Sequence, residues 1–79
     1  MQVQVLFFGS TAAATGKRQI EINVADETRA SAVFDQMLSE YPRLAAHRLL
    51  FSVNQQYAKG DETIRDGDEL AIFTAVSGG

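Results

Sequence analysis

Between residues 19 and 41 the hydrophobic pattern switches from a strand period to a helix period, and that switch constrains this 79-residue chain more than any other feature. Ile20, Ile22 and Val24 alternate with Gln19, Glu21 and Asn23, the pattern of a strand with one wet face. Ala30, Val33, Phe34, Met37, Leu38 and Tyr41 then recur at helical spacing and form one apolar stripe, about three turns long. Asp26 and Glu27 suit the positive end of the helix dipole, and Thr28 is the expected N-cap. Tyr41-Pro42 ends the helix, because a residue before proline avoids the helical region. A single helix cannot bury its stripe against itself, so it must lie on a sheet.

The other strands of that sheet follow from alternation. Val3, Val5 and Phe7 alternate with Gln2, Gln4 and Leu6, so residues 2–8 read as a strand, and Leu6 and Phe8 predict that it is central and covered on both faces near its end. Residues 9–16 are small and polar, a loop in which Ala12-Ala13-Ala14 can form a helical turn. An irregular stretch to His47 leads into a strand over 49–54, with Tyr57 on a short extra one. Asp66-Gly67-Asp68 signals a tight turn before a final strand over 69–74. The order strand, strand, helix, strand, strand implies an α+β roll, a mixed sheet with one main helix packed on one face. Its first and last strands are expected side by side in the centre.

Composition then narrows the chemistry. No cysteine is present, which removes disulfides, thiolate metal sites and a cysteine nucleophile. The longest apolar runs, residues 5–8 and 70–73, fall far short of the roughly 20 residues of a membrane span. No basic leader precedes an apolar stretch, so a cytoplasmic protein without a membrane partner is expected. Net charge is −3, and the seven Lys and Arg are scattered along the chain with only Lys17-Arg18 adjacent. Nucleic-acid binding, which depends on clustered cations, is not expected.

Three apparent sites fail on chemistry. Gly16-Lys17 ends a loop after a strand, but the spacing from Gly9 is wrong for a phosphate loop, Arg18 follows the lysine, and a strand rather than a helix comes next. His47, the only histidine, has Ala45, Ala46, Arg48 and Leu49 beside it, none of which orients a general base or completes a metal site. Asp66, Asp68 and Glu69 lack the ligand spacing of a calcium loop, and turn chemistry accounts for them. Neither a metal nor a cofactor is expected on this chain.

What remains is the segment 75–79. It has neither period nor bulk to pack and reads as a flexible tail on a domain spanning 1–74. Gly78-Gly79 places a carboxylate on a tip without side chains, able to enter a narrow channel. Five residues reach at most about 17 Å, enough to enter another protein's active site. A carboxylate is a poor electrophile, so chemistry there requires activation, for instance as an acyl-adenylate.

Val5-Leu6-Phe7-Phe8, Val53-Asn54-Gln55 and the run from Asp66-Gly67-Asp68-Glu69 through Phe73 to Val76-Ser77-Gly78-Gly79 resemble the small, sulfur-carrier subunits of molybdopterin synthase, the MoaD/ThiS family. The resemblance covers the whole chain and implies a β-grasp, ubiquitin-like fold. It implies that Gly79 is adenylated by an E1-like enzyme using ATP and converted to a thiocarboxylate with sulfur from a separate donor. The tail then enters the large synthase subunit, in a heterotetramer, and sulfur passes to cyclic pyranopterin monophosphate in molybdenum cofactor biosynthesis. By that resemblance Gly79 carries the sulfur, Gly78 gives the slim approach, Val76 and Ser77 lie in the partner's channel, and Phe73 lies near the interface. Alone, such a chain catalyses nothing.

Two positions depart from the family pattern. Thr74 and Ala75 stand where two prolines are common, which raises the ordering cost of docking, and Ala12 to Ala14 stand where many members carry an Arg-Glu pair. The alternative readings are a thiamine-pathway sulfur carrier, a ubiquitin-like modifier joined through Gly79, and a binding module with an inert tail.

Overall fold

The structure is a computed structural model that describes residues 1–75. Its elements are β1 (Gln2–Phe7), α1 (Ser10–Thr15), β2 (Gln19–Asn23), α2 (Ala30–Glu40), a 3-10 turn (Pro42–Ala46), β3 (Leu49–Val53), β4 (Gln56–Tyr57) and β5 (Glu69–Thr74). The five strands form one sheet in the order β2-β1-β5-β3-β4, in which β1 and β5 pair in parallel and every other pair is antiparallel. The first and last strands are neighbours inside the sheet, as their apolar content predicts. This is the β-grasp roll that the resemblance implies.

Alternation puts Val3, Val5 and Phe7 of β1 and Leu70 and Ile72 of β5 on one face, where α2 lays Val33, Phe34 and Met37 against them. All eight are buried, and each such side chain contributes about 1.5–3 kcal/mol relative to exposure. Phe34 stacks on Phe51 of β3 with centroids 4.1 Å apart, and Tyr41 meets Phe7 edge-on at 5.8 Å. Leu44, from the 3-10 turn after Pro42, closes one end of the core, and Ile64 is also fully buried.

Two local expectations are corrected. Thr28 does not cap α2: the cap position is Arg29, and the Thr28 hydroxyl donates instead to the Ala25 carbonyl at 2.6 Å. The first amides of α2 are satisfied from a distant segment, Ala30 donating to the Glu62 carbonyl at 2.8 Å and Ser31 to the Gly60 carbonyl at 2.9 Å. Asp26 and Glu27 lie in the turn before the helix, with Glu27 in the left-handed region at φ 66°, and no acidic residue occupies the first turn. The second correction concerns β1, which is interior to the sheet but covered on one face only. Leu6 is half-buried, and Phe8, just past the end of the strand, is 52% exposed.

Candidate functional site

Because β1 and β5 are parallel, both end at the same pole of the molecule, and β5 leads directly into the tail. Ala75 is exposed and its amide donates to the Arg48 carbonyl at 3.4 Å. Val76, Ser77, Gly78 and Gly79, four of the five positions singled out in the sequence, lie outside the described residues.

The fifth, Phe73, stands on the sheet face opposite α2. In the register of β5 against β3 it pairs with Leu50, and its ring lies 6.0 Å from that of Tyr57 on β4. Tyr57 is 74% exposed. Ala71 and Ser52 form the floor between the strands, both under a tenth exposed, and Phe8 closes the side nearest the pole. Phe8, Ser52, Ala71 and Phe73, with Gln55 and Glu69, border an open groove of about 490 Å³. No element among the described residues covers this face.

Thr11 holds the corner where that face meets the tail pole. It is fully buried, its hydroxyl lies 2.7 Å from the Ile72 carbonyl as donor, and it accepts the Phe8 amide at 2.9 Å. One side chain on α1 therefore ties the end of β1 to β5 one residue before Phe73. Sequence reasoning missed Thr11, since it sits among small polar residues in a stretch read chiefly as loop. The only signal was a hydroxyl at helix-capping distance from a strand end.

The acidic turn performs structural work. Asp66 accepts the Gln2 amide at 2.8 Å, and Asp68 accepts the Arg65 amide at 2.8 Å and the Asn54 side-chain amide at 3.0 Å. Asn54 and Gln55 both have positive φ, the requirement of a tight two-residue hairpin between β3 and β4, and the Asn54 side chain also accepts the Glu69 amide at 3.0 Å. Glu62 accepts the amides of Lys59 at 2.7 Å and Gly60 at 2.8 Å. The Lys59 amide, foremost, holds the Glu62 carboxyl below its ordinary value. Among the described residues no group of three His, Cys, Asp or Glu could hold a metal ion. His47 is exposed at the edge of a shallow groove against α1, and Gly16 ends α1 at φ 74° rather than cradling a phosphate. No helix among the described residues is long and apolar enough to cross a membrane.

The model of the ThiS family matches residues 5–79. The chain belongs to the ThiS family. Within the range of that family, a molybdopterin synthase sulfur carrier subunit from Homo sapiens is 35% identical over 83 residues, an alignment covering 99% of this chain and 94% of the human one. A crystal structure of SAMP1 from Haloferax volcanii superposes with a TM-score of 0.87 at 24% identity, covering 100% of both chains. Subunit 1 or 2 in a complex of the molybdopterin-converting factor from Helicobacter pylori superposes with a TM-score of 0.71 at 22% identity, again covering 100% of both chains. The last two, both below 25% identity, show a shared fold.

Proposed function

We propose that this chain is the sulfur-carrier subunit of a molybdopterin synthase, donating sulfur from a thiocarboxylate at Gly79. The observation that carries the reading is that the family match runs through Gly79, the one residue the chemistry requires. The partner is a second, larger subunit that supplies the catalytic groups; a complex of subunits 1 and 2 of the molybdopterin-converting factor from Helicobacter pylori supports a two-subunit assembly.

In this reading the Gly79 carboxylate attacks the α-phosphorus of ATP on an E1-like enzyme, releasing pyrophosphate and giving an acyl-adenylate. Sulfur from a donor then displaces AMP and leaves the thiocarboxylate. The open face around Phe73, Phe8 and Tyr57 docks on the large subunit, while Val76 and Ser77 thread its channel and Gly78 allows the close approach. Sulfur attaches to cyclic pyranopterin monophosphate, and water hydrolyses the acyl–sulfur bond, leaving the sulfur on the pterin and regenerating the carboxylate. The chain needs no cofactor of its own, because ATP is consumed on the activating partner.

The test is intact-protein mass spectrometry after incubation with an E1-like enzyme, ATP and a sulfur donor. Exchange of one oxygen for sulfur at Gly79 is expected, followed by its loss when the large subunit and pterin substrate are added. An unchanged mass, under conditions that convert a known carrier, defeats the reading. A ladder of larger conjugates points to a protein modifier instead.

A further inference from the structure

The cations that are scattered in the sequence are gathered by the fold. Arg18 lies beside the end of β1, where its carbonyl accepts the Phe7 amide at 2.9 Å, and Lys17 precedes it in the turn after α1. Arg43 lines a groove against Ala13 and Ala14 of α1. Arg48 precedes β3 and its carbonyl receives the Ala75 amide. All four are exposed, and all four stand at the pole where the tail begins; the acidic residues nearest them in the chain are Glu21 of β2 and Glu40 at the end of α2. The acidic run lies at the other pole. Asp66 and Gly67 bond the backbone of Gln2 at the start of β1, and Glu62 meets the start of α2. A strand of six residues, about 20 Å, separates the two ends. A protein of net charge −3 thus carries a positive end, and that end bears the tail.

We propose that Lys17, Arg18, Arg43 and Arg48 form a docking collar for carboxylates that rim the opening through which the synthase large subunit receives the tail; this rests on the sulfur-carrier reading above. Distance decides what the collar can act on. The four residues beyond Ala75 reach at most about 14 Å, so charges at the tail base lie well past the Debye length of about 8 Å from chemistry at an extended tip. The collar therefore does not serve the adenylate or the pterin phosphate. It faces whatever surrounds the tail base, which is the rim of the receiving protein. Complementary charge there steers the encounter so that the tail arrives pointing inward, and its signature is an association rate that falls with salt.

The experiment measures association of the full chain with its cognate large subunit by stopped-flow fluorescence, from about 50 mM to about 500 mM NaCl, over which the Debye length shortens from about 14 Å to about 4 Å. The wild-type rate is expected to fall about tenfold over that range. Arg43→Glu with Arg48→Glu should lose about tenfold at low salt and most of the salt dependence, with dissociation changed less than about threefold. Arg43→Gln with Arg48→Gln should fall between, which guards against a reversal variant that misfolds. Lys59→Glu with Arg65→Glu makes the same change in net charge at the opposite end and should associate at the wild-type rate or within about twofold of it. A wild-type rate independent of salt, or equal losses from the two ends, overturns the collar while leaving the carrier reading intact. No association at any salt overturns the carrier reading itself, and the collar with it.

Discussion

Replacing Thr11 by valine keeps the size and branching of the side chain and deletes one hydroxyl, so it isolates the corner that ties β1 to β5. The Phe8 amide then loses the acceptor at 2.9 Å, and the Ile72 carbonyl loses the donor at 2.7 Å. Thr11 is fully buried, so water does not simply replace it. An unpaired buried donor costs about 1–3 kcal/mol, while a carbonyl that keeps its second lone pair costs about 1, which together give about 2–4 kcal/mol. In a domain of this size that lowers the Tm by about 10–30 °C. Thr11→Ser is the informative control, since it keeps the hydroxyl and loses one methyl, worth about 0.8 kcal/mol. Area burial alone ranks valine at or above threonine and serine lowest. The hydrogen bonds rank threonine first, serine next and valine last. Thermal unfolding followed by circular dichroism separates the two orders, and a valine variant as stable as the serine one refutes the account of this corner.

Other consequences are measurable on the same protein. Removing Gly79 should shift the Tm by less than about 2 °C yet abolish sulfur uptake in the mass-spectrometric assay, because a terminal glycine has no side chain to contribute to a core. Phe73→Ala should weaken binding to the large subunit by about 2 kcal/mol, roughly 30-fold by calorimetry, since an aromatic at the centre of a docking face is a typical energetic anchor. Glu62→Gln should lower the Tm at pH 7, with the difference from wild type closing as the pH falls well below 4.5. The sign follows from its lowered pKa: the ionised form is favoured by folding, so its contribution is present above the unfolded value and is lost as pH drops through the folded one.

Local periodicity made most of the fold readable before any coordinates. Ile20, Ile22 and Val24 gave β2, the stripe from Ala30 to Tyr41 gave α2, and the double-sided apolar content of residues 5–8 and 70–73 placed β1 beside β5. What escaped was non-local. Alternation shows that Phe8 is apolar but cannot say whether this chain or another covers it. Thr28 had the right chemistry for a cap, yet the Glu62 and Gly60 carbonyls, some thirty residues away, reached the helix amides first. The same holds at the tail pole, where no window of sequence brings Arg18, Arg43 and Arg48 together.

The parallel pairing of β1 with β5 also governs when the molecule can form. β5 occupies the middle of the sheet and is the last strand to be synthesised, so until it arrives β1 and β2 stand apart from β3 and β4. Contacts between the two ends of a chain are slow to close, and here they cannot begin early during translation. A ribosomal product cut short before Thr74 lacks the centre of its own sheet. Folding thereby acts as a length check: a molecule that has closed its sheet has, by construction, already been translated as far as Thr74.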